Sequence, residues 1–143
     1  MSLVRLIYHS KSTNQLSATD IAKLQQQAID FNKKNDITGV LVHDGKRFLQ
    51  LLEGDKNIIN DLYVRIVNDS RHTQVSLIYY DDLDGCRFTE WSMGVAYMPV
   101  SQKTIVESKY GGFFPHMFKA NEAMQYLCKV REFTAEYMNR DGA

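Results

Sequence analysis

The sequence predicts an α+β fold of the ferredoxin-like sandwich type, for two reasons. Segments with the two-residue periodicity of strands and the 3.6-residue periodicity of helices follow one another in the order β-α-β-β-α-β. The strands are apolar on both faces, so both faces of the sheet need a cover. With a fifth strand, the expected architecture is βαββαββ, with two helices on one sheet face and C-terminal helices on the other.

The first strand and the first helix have clear sequence signals. The segment LVRLIYH (3–9) is rich in β-branched and aromatic residues, which favours a strand. Ser17 is a good helix N-cap, and Asp20 occupies the position of a capping-box acid. The helix that follows has an apolar stripe at helical spacing, formed by Ile21, Leu24, Ala28 and Phe31.

A hairpin and a second helix come next. The strands TGVLVH (38–43) and RFLQLLE (47–53) flank Asp44–Gly45, a dipeptide typical of hairpin turns. Asp55 is placed to cap a second helix, which is predicted to end near Asp69. The apolar stripe of this helix consists of Ile58 or Ile59, Leu62 and Ile66.

The remaining elements are two strands and a helical C-terminal segment. TQVSLIYY (73–80) is predicted to be the fourth strand, and a fifth is expected around Trp91–Tyr97. Both prolines follow residue 98, which suggests a first domain at residues 1–98 and a helical appendix at 99–143. The appendix is predicted to contain a short helix from about Ser101 to Ser108. A longer helix follows, with one face formed by Ala123, Leu127, Val130 and Tyr137.

Composition and charge exclude several classes of protein. The 143 residues carry seventeen basic and seventeen acidic side chains, which argues against a large nucleic-acid or acidic-membrane surface. No apolar run approaches the roughly 20 residues of a membrane span, and the N-terminus lacks the regions of a signal peptide. Cys86 and Cys128 match no redox or zinc motif, and the histidines at 9, 43 and 116 show no ligand spacing. We expect a cytoplasmic protein with free thiols and no metal site.

One polar side chain interrupts an apolar row of the third strand. In GKRFLQLLEGD (45–55), Gln50 shares a face with Phe48 and Leu52. A buried amide whose donors and acceptor have no partners costs about 1–3 kcal/mol. Gln50 is therefore expected either to bind a neighbouring backbone group or to meet a ligand.

Two other polar side chains are predicted on the same side of the sheet. Tyr8 shares the face of Val4 and Leu6 in the first strand. Asn32 follows Ile21 by eleven residues, which at ~100° per residue returns it to the inward stripe of the first helix. Tyr8 alone also fits a core tyrosine, and Asn32 alone fits a helix cap. Their convergence with Gln50 suggests a ligand.

The second helix ends in a further group of polar residues. Arg65 and Asp69 lie four residues apart near the inward line, and Arg71 and His72 follow. Arg65 and Asp69 also fit a surface ion pair, which stabilises a helix by only about 0.2–0.5 kcal/mol. An inward face with small Ala28 at its centre and polar groups around its edge suits a flat ligand.

Four segments carry a resemblance to a known family: RLIYHS (5–10), FNKKNDITGVLVHDGKRFLQLLEGD (31–55), LYVRIVNDSRH (62–72) and RFTEWSMG (87–94). In this combination the chain resembles the BLUF family, blue-light sensors that use FAD, over about residues 3–98. The resemblance implies a non-enzymatic photoreceptor that binds its flavin non-covalently. FAD is the implied cofactor, with FMN or riboflavin able to substitute.

The resemblance also implies roles for individual residues. Tyr8 is expected to be the redox-active phenol and Gln50 the amide whose hydrogen bond is rearranged by light, with Trp91 and Met93 changing environment during signalling. The expected flavin-contacting residues are Leu24, Ala28, Asn32, Thr38, Leu41, Phe48, Gln50, Arg65, Ile66, Asp69, Arg71 and His72. Ala28 departs from several relatives, which carry a serine at this position.

Within this set, the resemblance distinguishes the faces of the flavin ring from its edges. Leu24 and Ile66 match the residues that hold the two ring faces, and Asn32 matches the asparagine that binds the pyrimidine edge. The polar group at 69–72 matches the end that meets a ring carbonyl and the ribityl chain.

Two rival functions share the predicted topology. The first is a non-photoactive ferredoxin-like domain that binds a small regulatory ligand or acts as an acylphosphatase, although no phosphate-cradling loop precedes the first helix. The second is an RNA-binding sheet, which would expose aromatic residues on a basic face. Because no second catalytic or DNA-binding domain is visible, the chain resembles the short BLUF type. That type implies a homo-oligomer and a separate downstream signalling protein.

Overall fold

Four strands and three helices make up the computed structural model, which describes residues 2–14, 17–83 and 114–141. The strands are β1 (Leu3–Ser12), β2 (Thr38–His43), β3 (Arg47–Asp55) and β4 (His72–Asp82). The helices are α1 (Ala18–Lys34), α2 (Lys56–Asn68) and α3 (Ala120–Asp141), and a 3-10 turn at Pro115–Met117 precedes α3. The predicted fifth strand, the predicted helix from about Ser101 to Ser108 and Cys86 lie outside the described residues.

The strands form one antiparallel sheet in the order β2-β3-β1-β4. β1 and β3 are therefore its central strands. Their register places Tyr8 opposite Gln50, and the register of β2 places Leu41 on the other side of Gln50. The order of the elements and the antiparallel sheet confirm the predicted α+β fold.

Both helices on the first face begin at the predicted caps. The Ser17 side chain accepts a hydrogen bond from the Asp20 backbone N–H at 3.1 Å, and the Asp20 carboxylate accepts one from the Ser17 N–H. Asp55 accepts hydrogen bonds from the first backbone N–H groups of α2. Caps of this kind contribute typically about 1 kcal/mol each, so these short polar residues define where the helices begin.

Two apolar cores hold the helices to opposite faces of the sheet. The buried residues of the first core, on the side of α1 and α2, are Val4, Leu6, Tyr8, Ile37, Leu52 and Ile59. Those of the second core, on the side of α3, include Ile7, Val40, Val42, Leu49, Leu51, Ala123, Leu127 and Val130. The C-terminal helix therefore covers the second face, as the alternating strand pattern predicts.

A charged pair is buried on the α3 side of the sheet. Arg5 Nη2 lies 2.6 Å from Glu53 Oε2, and Glu53 has no exposed surface. Thr38 Oγ1 donates a hydrogen bond to the other carboxylate oxygen of Glu53 at 3.3 Å. These side chains are cross-strand neighbours, so the carboxylate joins β1, β3 and β2 in one register.

Candidate functional site

A cavity of ≈ 260 Å³ lies on the side of the sheet that carries α1 and α2. Its lining residues come from α1 and α2, from all four strands and from the turn after α2: Tyr8, Leu24, Gln27, Ala28, Phe31, Asn32, Leu41, Gln50, Leu62, Arg65, Ile66, Asp69, Arg71 and His72. Small-molecule sites are typically about 300–1,000 Å³, mostly apolar, with a few polar groups that orient the ligand. This cavity has that composition and lies just below that range of size.

All but two of the predicted contact residues line this cavity. Thr38 does not line the cavity, because the two-residue alternation of β2 puts it on the α3 side with Val40, where its hydroxyl donates a hydrogen bond to Glu53. Phe48 is on the cavity side but does not line the cavity. Its ring packs against His72, with the centroids 4.8 Å apart.

Three lining residues were not among the predicted contact or photoactive residues: Gln27, Phe31 and Leu62. Phe31 and Leu62 belong to the predicted apolar stripes, and Gln27 lies one turn from both Leu24 and Phe31 on the same helix face. The signal for Gln27 was therefore its helical spacing. A prediction that considers only the apolar residues of the stripe misses Gln27.

Tyr8 and Gln50 form a buried hydrogen bond at the floor of the cavity. The Tyr8 hydroxyl donates to Gln50 Oε1 at 2.5 Å. Burial, followed by the nearby Tyr63 and Asp69, raises the pKa of Tyr8 far above its ordinary value, so the phenol is neutral. Because Oε1 of Gln50 is engaged by Tyr8, Nε2 is the end of the amide that can donate to a ligand.

Asn32 is the clearest sign that the cavity receives a polar ligand. The residue is 2% exposed, and its Nδ2 has no hydrogen-bond partner in the described part of the chain. An unsatisfied buried donor costs about 1–3 kcal/mol. A ligand with a carbonyl or ring-nitrogen acceptor would remove this cost, and the pyrimidine edge of a flavin carries both.

A charged pair stands at the polar end of the cavity. Arg71 Nη2 lies 2.7 Å from Asp69 Oδ2, and Arg71 Nη1 donates to Gln27 Oε1 at 3.1 Å. The hydrogen bonds from the Arg71 side chain lower the pKa of Asp69 to about 2, against a smaller opposing effect of burial. Asp69 is therefore ionised at neutral pH, and Arg71 is held between α1 and the turn after α2.

Two other polar lining residues, His72 and Arg65, have partners that hold their side chains in place. Ser10 Oγ and His72 Nδ1 are 2.9 Å apart, and burial lowers the pKa of His72, which keeps its ring neutral at pH 7. The Arg65 guanidinium lies 5.5 Å from the centroid of the Phe31 ring, a cation–π contact. The alternative prediction of an Arg65–Asp69 ion pair is wrong, because Asp69 pairs with Arg71.

The remaining sequence expectations concern two signalling residues, metal binding and membrane spans. Trp91 and Met93 lie outside the described residues. Within residues 2–14, 17–83 and 114–141, no cluster of three or more side chains is arranged to bind a metal ion. No helix in those same ranges is long and apolar enough to cross a bilayer.

Comparison with known sequences finds one family model and a group of longer relatives. The model for BLUF, sensors of blue light using FAD, matches residues 3–94. The beta subunit of photoactivated adenylate cyclase from Euglena gracilis is 34% identical over 93 residues, which cover 64% of this chain and 11% of that protein. The alpha subunit from the same organism is 34% identical over 82 residues, 57% of this chain and 8% of that protein. The chain thus spans about a tenth of the length of these curated relatives.

Comparison with solved structures finds proteins of similar size. The photo-activated state of BlsA is 26% identical, with a TM-score of 0.76 over 90% of this chain and 94% of that one. BlrB, described as a BLUF protein in its dark state, gives a TM-score of 0.71 over 95% of this chain and 97% of that one. At 20% identity, the BlrB match shows a shared fold alone.

Proposed function

Because the chain belongs to the BLUF family, we propose that it is a blue-light sensor that binds a flavin in the cavity on the side of α1 and α2. The observation that carries the proposal is the buried hydrogen bond between Tyr8 and Gln50 at the floor of this cavity. FAD is the proposed cofactor, and FMN and riboflavin, which have the same ring system, would occupy the same cavity.

The lining residues fit the flat ring of a flavin. Leu24 and Ala28 on α1 and Ile66 on α2 would hold the faces of the ring, since these helices supply the apolar walls. Asn32 Nδ2 would donate to the pyrimidine edge, which would satisfy its buried amide. The polar group at Asp69–His72 would meet a ring carbonyl and the ribityl chain.

Light sensing would use the hydrogen bond that Tyr8 makes. A bound flavin supplies a chromophore that absorbs blue light and, when excited, is a strong one-electron oxidant. Tyr8 is assigned as the source of an electron and, through its hydrogen bond to Gln50 Oε1, of the accompanying proton. The amide of Gln50 carries an acceptor and a donor at its two tips, so rotation or tautomerisation rewires the hydrogen bonds without changing the net charge.

The signal would leave the site through the sheet. Gln50 lies on β3 between Leu49 and Leu51, whose side chains belong to the core on the α3 side. A backbone or side-chain shift at Gln50 therefore has a direct packed route to the C-terminal helix. We assign residues 1–98 to the sensor and 99–143 to the output segment, with Trp91 and Met93 as reporters of the change.

The output is proposed to be a protein–protein interaction of a homo-oligomer with a separate signalling protein, not catalysis by this chain. The matched cyclase relatives are about ten times longer than the matched segment, so their activity is not transferred. The cytoplasmic location stays a prediction from the sequence.

The test is the absorption spectrum of the purified full chain supplied with FAD. We expect a yellow protein whose flavin band shifts reversibly to longer wavelength under blue light and recovers in the dark. A protein that stays colourless contradicts flavin binding. A yellow protein without a light-induced shift contradicts light sensing and favours the alternative, a non-photoactive domain that binds a small ligand.

A further inference from the structure

The 3-10 turn at Pro115–Met117 packs against β1 and β3 and exposes two apolar side chains. Because a 3-10 helix has three residues per turn, side chains three positions apart point the same way. Pro115 and Phe118 are buried, and Phe118 belongs to the core on the α3 side. Phe114 and Met117, each one position earlier, are 39% and 48% exposed. The inner side of the turn therefore fixes it to the sheet, and its outer side presents Phe114 and Met117 together.

Two basic side chains of β1 and β3 lie at the same end of the sheet. Lys11 is directly opposite Arg47 in the strand register, and strand alternation puts both on the α3 side with Ile7 and Leu49. Like charges directly opposite each other destabilise a pair of strands. No ion pair joins Lys11 or Arg47 to a carboxylate in the part of the chain that the structure describes. The sheet therefore carries two like charges side by side.

Two histidines connect the turn with this basic pair. Burial lowers the pKa of His9, and the charges of His116 and Arg47 lower it further. Burial, followed by Arg47, also lowers the pKa of His116, so both rings are neutral at pH 7. The His116 ring meets the Phe114 ring edge-on, with the centroids 6.0 Å apart. The apolar and the basic side chains thus form one continuous surface.

The charge around this surface is positive. Lys46 and Lys119 adjoin it in the sequence and are exposed. The carboxylates beside them, Asp44 and Glu122, accept hydrogen bonds from backbone N–H groups. Among the described residues of these segments, four cations including the cross-strand pair therefore lie beside two carboxylates. Such an excess of positive charge attracts an acidic partner.

We propose that the surface formed by Lys11, Arg47, Phe114, His116 and Met117 docks an acidic segment of a separate protein that also carries apolar side chains. Phenylalanine, methionine and arginine are enriched in the centre of protein–protein interfaces. The proposal rests on the proposed function, in which the C-terminal segment passes the signal to another protein, and it adds the chemistry of that partner. Since the 3-10 turn directly precedes α3, a shift of α3 would move the docking surface.

The experiment measures, in the dark, the affinity of the full chain for a short dye-labelled peptide rich in glutamate and leucine. We expect binding that is lost when glutamine replaces glutamate, or alanine replaces leucine, in the peptide. Lys11→Glu and Met117→Ser should each weaken binding about 3- to 10-fold, the effect of one partly exposed contact at an interface. The matched controls are Lys33→Glu on α1 and Val64→Ser on α2, which are exposed and should leave the affinity unchanged.

Urea unfolding separates an effect on binding from an effect on folding. Lys11→Glu places a carboxylate opposite Arg47, so it should raise the urea midpoint of the flavin-free protein while it weakens peptide binding. A lowered midpoint would give Lys11 a structural role and would overturn the proposal. The light-induced absorption shift of the flavin-loaded variant should be normal, because Lys11 does not line the flavin cavity.

Several outcomes overturn the docking surface while the light sensor stands. They are the absence of peptide binding, equal affinities in Lys11→Glu and Lys33→Glu, and tighter binding of a single-stranded oligonucleotide that depends on the same residues. Self-association of the chain that Lys11→Glu abolishes would assign the surface to a second copy and also overturns the proposal. Loss of the absorption shift in the unmodified protein instead contradicts the proposed function, since peptide binding in the dark does not require the photocycle.

Discussion

The hydroxyl oxygen of Tyr8 lies 2.5 Å from Oε1 of Gln50, across the two central strands of the sheet. Tyr8 is 1% and Gln50 6% exposed, so water cannot readily replace either partner. The hydrogen bond therefore sets which tip of the Gln50 amide faces the phenol.

Tyr8→Phe should retain the flavin and lose the normal light-induced shift of the absorption band. The substitution keeps the buried ring and removes only the hydroxyl that supplies the proton to Gln50. Difference spectra before and after blue light measure the effect. Tyr126→Phe, on α3 at the opposite face of the sheet, is the matched control and should keep the shift. A normal photocycle in Tyr8→Phe would refute the role assigned to the phenol.

Gln50→Leu should also bind flavin without the normal shift, because a leucine offers neither donor nor acceptor. It should lower the free energy of unfolding of the flavin-free protein by about 1–3 kcal/mol, since the buried Tyr8 hydroxyl then lacks its acceptor. Adding Tyr8→Phe should recover part of that loss, as measured by urea unfolding in a double-mutant cycle. Strictly additive losses would show that the hydrogen bond contributes nothing to stability.

Asn32→Ala should weaken flavin binding about tenfold, or about 1.4 kcal/mol, with little loss of stability in the flavin-free protein. The reason is that Asn32 Nδ2 has no hydrogen-bond partner in the described part of the chain. Asn35→Ala is the matched control, because its side chain donates to the Phe31 carbonyl at 2.8 Å. That control should lower the unfolding free energy by about 1 kcal/mol and leave flavin affinity unchanged. The opposite pattern in titration and urea unfolding would contradict this assignment.

Arg5→Met should destabilise the protein by about 3–5 kcal/mol, because it takes the cationic partner from the fully buried Glu53 carboxylate. The double change Arg5→Met with Glu53→Leu should recover most of this loss, since it removes both charges together. Urea unfolding of the flavin-free proteins measures both values. A loss below about 1 kcal/mol for Arg5→Met would show that Glu53 is well solvated or otherwise compensated.

Stability should fall as the pH is lowered from 7 towards 4, partly through His43. Burial lowers the pKa of His43 to about 4 in the folded protein, from 6.5 in the unfolded chain. Between these values the unfolded chain binds a proton that the folded protein does not, so acid favours unfolding. The contribution is at most about 3 kcal/mol.

The variant His43→Phe isolates this effect, because a phenylalanine can keep the stacking on the Phe48 ring and does not titrate. Its unfolding free energy should fall less steeply between pH 7 and 4.5 than that of the unmodified protein, as measured by urea unfolding at each pH. Asp69, with a pKa of about 2, loses its contribution only below about pH 4 and does not interfere. Identical pH profiles for the two proteins would show that His43 titrates normally in the fold.

Strand and helix periodicity correctly predicted which side chains face the cavity. The alternation of β3 places Gln50 on the face of Leu52, and the helical spacing of α1 places Asn32 on the face of Leu24, and both line the cavity. The alternation of β2 puts Thr38 on the other face with Val40, and the structure has it there. At Thr38 the strand periodicity therefore agrees with the structure, whereas the family resemblance alone places this residue among the flavin contacts.

The partners of charged residues could not be predicted in the same way. Spacing along α2 allowed an Arg65–Asp69 pair, but the fold brings the Phe31 ring from α1 next to Arg65 and turns Asp69 towards Arg71. Several partners of either charge lie within reach of a flexible side chain. The packing of two helices therefore decides the pairing.

The sequence by itself determined the element types, the two apolar faces of the sheet and the inward direction of Gln50 and Asn32, because backbone periodicity is a local property. Only the tertiary structure decided that Tyr8 and Gln50, 42 residues apart, share a hydrogen bond, and that Arg71 donates one to Gln27 on α1. Those contacts depend on strand register and on the distance between α1 and the turn after α2. Both are set by the packing of the whole domain.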